Sequence, residues 1–319
     1  MVSTNSKNQK IQLLRAIAIC AVVIIHSYPQ NLFGVFIRAF VNFAVSMFFF
    51  LSGHLTKLEN DNWKQFWIKR IKRVVIPYII WSVLWTVVTR NFDHFLIKLL
   101  TGKCVYPYYY VFVYVQFVLF TPLISKLIKS NYNWIGWLFQ PIAIILMRYL
   151  GLEKIVPFSI LFSWFGPYYL GMMLGNRVFQ WNCGYKKTTY LWIVSLAISM
   201  AEGLVWFRAG NYDLATTQLK LSNCLYSAMC ILLAYKYINN KNINVKDTIT
   251  NKIMISLGDY SFGIFLAHAF VILIMKHLPI YKYLVFPINS ALVVFITALC
   301  VWCGRKILGV KYGKYLGLY

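Results

Sequence analysis

The chain is dominated by runs of about twenty predominantly apolar residues, the length a helix needs to cross the hydrocarbon core of a bilayer. Ten such runs lie near 11–29, 33–55, 74–90, 106–125, 134–150, 157–175, 189–207, 217–238, 254–275 and 283–303. They predict an all-α fold, a polytopic integral membrane bundle of about ten transmembrane helices, because backbone polar groups in lipid must be satisfied within the spanning segment. Hydrophobic residues make up 60% of the chain and charged residues 13%, whereas a soluble domain carries about a quarter of its residues charged. No stretch between the runs is long and polar enough to fold outside the membrane. Residues 1–319 are therefore expected to form a single transmembrane domain, and any chemistry falls to the bundle.

The 32 basic residues against 8 acidic ones give a net charge of +24. Such an excess suggests nucleic acid in a soluble protein, but in a membrane protein basic residues gather in the cytoplasmic loops. No nucleic-acid partner is expected. Orienting the N-terminus inward places Lys7, Lys10, Arg15, the basic segment 57–73 and the basic tail in the cytosol, and an even number of spans returns the C-terminus there. The first run follows its lysines as a signal sequence would, yet HSYPQ comes next instead of a small-residue cleavage site, so it is expected to stay as the first helix. The seven cysteines show no disulfide framework and no metal-ligand spacing beyond Cys300 and Cys303. They read as packing residues, with no metal expected.

Polar groups at membrane depth are then the candidates. LLRAIAICAVVIIHSY, 13–28, carries Arg15 and His26. Eleven residues apart, they fall within about 20° of three full turns and about 16 Å apart along a helix axis, on one face. Arg15 alone is explained by snorkelling to the headgroups, and His26 alone by an interhelical hydrogen bond. A shared face turned away from lipid favours a polar path. In KLENDNWKQFWIKRIKR, 57–73, Trp63, Phe66, Trp67 and Ile71 recur at helical spacing among cations. This predicts an amphipathic helix in the interface. It either anchors anionic lipid heads or uses Arg70 and Arg73 as planar forks for a phosphorylated ligand.

The second run ends SMFFFLSGHLT, with Ser52, Gly53 and His54. Gly53 permits close approach of either a ligand or a packed helix. The ninth contains LGDYSFGIFLAHAF, where Asp259 or Ser256 is a candidate cap. Ser261 and His268, seven apart, share a face there, and His268 suits an interhelical hydrogen bond as well as a substrate contact. Gly171 and Gly175 form a small-xxx-small packing pair.

Taken together these residues resemble membrane acyltransferase family 3, integral-membrane enzymes that modify cell-surface glycans. Arg15 and His26 match its Arg–ten residues–His pattern, FFFLSG (48–53) its Phe-Phe-x-x-Ser-Gly pattern and RIKR (70–73) its Arg-x-x-Arg pattern. YSFGIFLAH (260–268) is similar to its Ser-aromatic-x-Ile-aromatic-Leu-x-His ending, and VYVQFVLFTPLI (113–124) is weakly similar to its fourth helix. His54 stands where the family often has an aromatic or aliphatic residue, and no role is assigned to it.

The resemblance implies a multi-pass O-acyltransferase of a bacterial-type cytoplasmic membrane, using acyl-CoA, most simply acetyl-CoA, as donor and a cell-envelope or extracellular polysaccharide as acceptor. Arg70, Arg73, Ser52 and Gly53 would bind the donor, Arg15 its phosphates or acyl carbonyl, and Ser261 and His268 the substrate. His26 would be the general base, its near-neutral pKa suiting that role. Membrane lipids and polysaccharide synthesis or export proteins are the implied partners. Many members carry a fused hydrolase-like domain that receives the acyl group; without one, this chain is expected to act directly on its acceptor or hand on to a separate protein. The residues alone also fit a transporter or flippase for sugars, or a scaffold subunit of a polysaccharide machine.

Overall fold

A computed structural model describes residues 2–152 and 161–318. Among them there is no β-strand, and helices account for nearly all the regular structure. Helix α1 (Val2–Ser27) is continuous. Helices α2 (Leu32–Val41) and α3 (Ala44–His54) make the second span, broken at residues 42–43. Asn31 caps α2 by accepting from the Gly34 amide, one of the amides a helix start leaves without an internal partner. Asn62 caps α4 (Trp63–Thr89) in the same way, from the Gln65 amide. Next come α5 (Phe95–Thr101), α6 (Tyr109–Lys129) and α7 (Phe139–Ile144), which runs into a π-turn at Ile145–Tyr149. The remaining helices are α8 (Phe165–Gly175), α9 (Tyr185–Arg208), α10 (Tyr212–Thr216), α11 (Leu221–Asn239), α12 (Ile249–Asp259), α13 (Ser261–His277) and α14 (Ile288–Gly313).

Seven helical runs among the described residues are long and apolar enough to cross a membrane, and the pair α12–α13, bent by 80°, makes an eighth if counted as one span. The chain is a multi-pass helical membrane protein. These eight coincide with the expected runs except 134–150 and 157–175. The first of those is built of short 3-10, α and π pieces. Gly136, packed on the Tyr169 ring, and Pro141 interrupt it, and proline removes an amide that a continuous helix needs. The second begins outside the described residues; its described part is a 3-10 turn, Leu161–Trp164, followed by the eleven-residue α8.

Two other expectations are revised. The basic segment is not a separate interfacial helix: residues 57–62 form a loop, and from Trp63 onward it is the first part of α4, continuous with the third span. Neither Asp259 nor Ser256 caps the ninth span, because both lie near the C-terminal end of α12, before the bend. There Gly258 presses against the Gln12 carbonyl of α1 so closely that a Cβ would collide with it.

The central position of the first two spans follows from burial. Their apolar windows are 56% and 61% buried, against 22%, 22% and 17% for α4, α9 and α14, which therefore turn most of their side chains to lipid. Helices α3 and α8 meet backbone to backbone: a Cβ on Gly53 would strike the Tyr168 carbonyl, one on Gly171 that of Phe50, and one on Gly175 that of His54. Small residues permit such approach where apolar burial cannot drive helices together in lipid.

Candidate active site

A cavity of about 640 Å³ lies against α1, α3, α4, α6 and α13. Arg15 and His26, on one continuous helix, both line it, so the face they share is the polar path rather than a lipid-facing stripe. At the Arg15 level, α3 supplies Ser52, α4 supplies Lys69, Arg70 and Arg73, and the loop before α4 supplies Asn60 and its cap Asn62. Arg70 is propped by neighbours: its Nη1 donates to Ser52 Oγ at 3.5 Å, its Nη2 to the Leu55 carbonyl at 3.4 Å, and its guanidinium lies over the Phe66 ring at 4.6 Å. Phe66 sits one helical turn before Arg70, so a pair on the α4 surface holds the arginine toward the cavity.

A second cavity, of about 570 Å³, is lined by Tyr28, Arg38, Arg148, Tyr212, Asp213 and Thr216 among others. Ile25, His26, Tyr106, Tyr109 and Gln218 line both cavities. His26 therefore stands where the two spaces meet. The Tyr106 ring meets it edge-on, 5.7 Å between centroids with planes at 78°. On another side lies His268, with centroids 5.2 Å apart.

His268 is fully buried, and its own helix determines its tautomer. Nδ1 lies 2.8 Å from the Phe265 carbonyl and 3.1 Å from that of Ile264. Carbonyls only accept, so Nδ1 carries the proton and the lone pair of the neutral ring is on Nε2. That Nε2 is buried and has no hydrogen-bond partner among the described residues.

Of the residues singled out in the sequence, Arg15, His26, Ser52, Arg70, Arg73 and Ser261 come together around the first cavity. His268 does not line it but backs His26. Gly53 does not line it either; its backbone is consumed in the contact with α8. Sequence reasoning missed Tyr106, Tyr109, Gln218 and, above all, Arg38. The signal for Arg38 was available: it is a lone arginine inside an apolar run, the same exception that drew attention to Arg15.

The model of a family described as an acyltransferase domain, acyltransferase family 3, matches residues 8–305. The chain belongs to acyltransferase family 3. No curated protein and no solved structure matches it. A family 3 acyltransferase must bring an acyl donor and an acceptor to one reacting centre, and His26 is the histidine that lines both cavities; the phenols of Tyr106 and Tyr109, which line both as well, are much weaker bases at neutral pH. Ser261 and the aromatic rings of Phe262 and Phe265 reach the first cavity from the start of α13, just after the 80° bend that separates it from α12.

Proposed function

We propose that this acyltransferase moves an acyl group, most simply acetyl, from acyl-CoA in the first cavity to a hydroxyl of a cell-envelope or extracellular polysaccharide in the second. The observation that supports this reading is the position of His26, on the wall of both spaces. A phosphate-rich donor fits the first cavity because Arg15, Lys69, Arg70 and Arg73 converge there, and guanidinium forks match phosphate oxygens in pairs. The basic end of the bundle would then face the cytosol, where such a donor is available, in agreement with the positive-inside bias.

In this mechanism His26 takes the proton from the acceptor hydroxyl as its oxygen attacks the thioester carbonyl. The carbon–sulfur bond breaks, and the leaving thiolate takes that proton from His26, so the base is restored. Arg15 would hold the donor's phosphates or polarise its carbonyl. His268, its lone pair directed by the two carbonyls on Nδ1, would orient the His26 ring as a carboxylate does in other acid–base pairs; it is a positioning residue. The direct test is mass spectrometry of envelope glycans from cells with and without the gene, together with CoA release by the purified protein. Loss of an acyl mass with the gene, and acceptor-dependent CoA release, are expected; unchanged glycans and no CoA release would overturn the reading.

A further inference from the structure

The second cavity contains a charge that acyl transfer to a neutral hydroxyl does not require. Arg38 is only 7% exposed and belongs to a membrane-spanning helix, where an arginine is costly to keep. Its Nε donates to the Thr216 carbonyl at 2.8 Å and its Nη1 to the Ile25 carbonyl at 3.4 Å. Its guanidinium stacks over Tyr28 at 5.2 Å from the ring centre. Nη2 donates to nothing among the described residues, although Arg38 lines the cavity.

A tether to Thr216 does not explain the charge. Asn42, neutral and fully buried, already donates to the same Thr216 carbonyl and to that of Thr217. Nor does the acid that lines the cavity neutralise it: Asp213 is already paired with Arg148. The guanidinium is thus stacked, anchored through Nε and Nη1, and left with Nη2 free beside the backbone carbonyl of the residue preceding His26. Tyr28, Tyr106 and Tyr212 supply flat amphipathic surfaces around it, which suits a sugar or polyol ring.

Resting on the acceptor assignment made above, we infer that the second cavity is an anion-selective acceptor subsite: Arg38 binds a carboxylate or phosphate carried by the sugar or polyol whose hydroxyl is acylated at His26. Charge-assisted bonds to such a group replace the water lost on entry, and the anion fixes which hydroxyl faces the imidazole.

The test is calorimetric titration of the full-length protein in nanodiscs with methyl glucuronide and glycerol phosphate, each against its neutral match, methyl glucoside and glycerol. Acyl-CoA binding is measured alongside. Wild type should bind at least one anion about tenfold or more tighter than its neutral match, the scale of one charged hydrogen-bonded contact; which anion wins identifies the carboxylate or the phosphate. Arg38→Gln should abolish that preference, Arg38→Lys should keep it in weakened form, and the Arg70→Ala/Arg73→Ala double variant should retain it while losing acyl-CoA. Equal binding of anion and neutral match by wild type, a comparison that depends on no variant folding, would overturn the inference. So would a preference that survives Arg38→Gln, or one that vanishes in the double variant, which would place the anion in the donor cavity. Failure of wild type to bind acyl-CoA, with the anion preference intact, would instead count against the donor assignment alone.

Discussion

The rings of His26 and His268 lie 5.2 Å apart, centroid to centroid, with their planes tilted by 41°. With Nδ1 of His268 donating to the Phe265 and Ile264 carbonyls, only its Nε2 is free to orient the neighbouring imidazole. His268→Ala should lower kcat by about 10–100-fold, the scale of a misplaced catalytic group, while leaving the KM for the acyl donor near its wild-type value. His268→Gln, which still offers an acceptor, should recover part of the rate. Steady-state kinetics on the purified variants separates this from a packing role, which would lower the folded fraction and leave the kcat of folded molecules unchanged.

Arg70→Ala and Arg73→Ala should each weaken acyl-CoA binding more than they slow the bound reaction, since contacts remote from the reacting bond supply mainly ground-state affinity. Lysine at either position should rescue only partly, because a point charge does not reproduce a bidentate fork. Titration of each variant with acyl-CoA reads the effect. Normal affinity in both alanine variants would reduce the basic turn of α4 to a lipid anchor.

Gly53→Ala and Gly171→Ala should be destabilising, because each added methyl meets a backbone carbonyl of the facing helix rather than a flexible side chain. Overpacking of this kind costs about 1–3 kcal/mol. A lower melting temperature in detergent with retained activity per folded molecule is expected. A stable Gly53→Ala protein that no longer binds acyl-CoA would return Gly53 to the donor site.

Single cysteines at Lys64, in the first turn of α4, and at Ala209, just after α9, should label from opposite sides of the membrane in a cysteine-free background. Both positions are exposed. Labelling from the same side would contradict the proposed orientation and with it the cytosolic entry of the donor.

The polar wall of the first cavity was legible in the sequence because it depends on local periodicity. Arg15 and His26 share a face through the pitch of one helix, and Arg70 and Arg73 share one through a single turn of another. The second cavity was not, apart from the exception Arg38 makes within an apolar run, because it depends on contacts between distant segments. Arg38 meets Thr216 and Asn42 meets Thr217 across more than 170 positions, where the short α10 and the extended residues after it line the second cavity. Irregular backbone at that depth is tolerated because it is buried in protein and lines a cavity. Hydropathy likewise measures apolar length but not continuity. It therefore showed one span at 134–150, where Gly136 and Pro141 break the helix, and a straight span at 254–275, where α12 and α13 meet at 80°.

The most direct measurement is the turnover of His26→Ala in liposomes at saturating acyl-CoA, with Ile17→Ala as a control on the same helix. Ile17 is 47% exposed and away from both cavities, and its variant should retain activity. His26→Ala should fold and bind acyl-CoA as wild type does, with acyl transfer reduced by about 10²–10⁴-fold, the contribution of a general base. A His26→Ala protein that is folded, binds the donor and transfers acyl groups within a few-fold of wild type would contradict the assignment of His26 as the base at the junction of the two cavities.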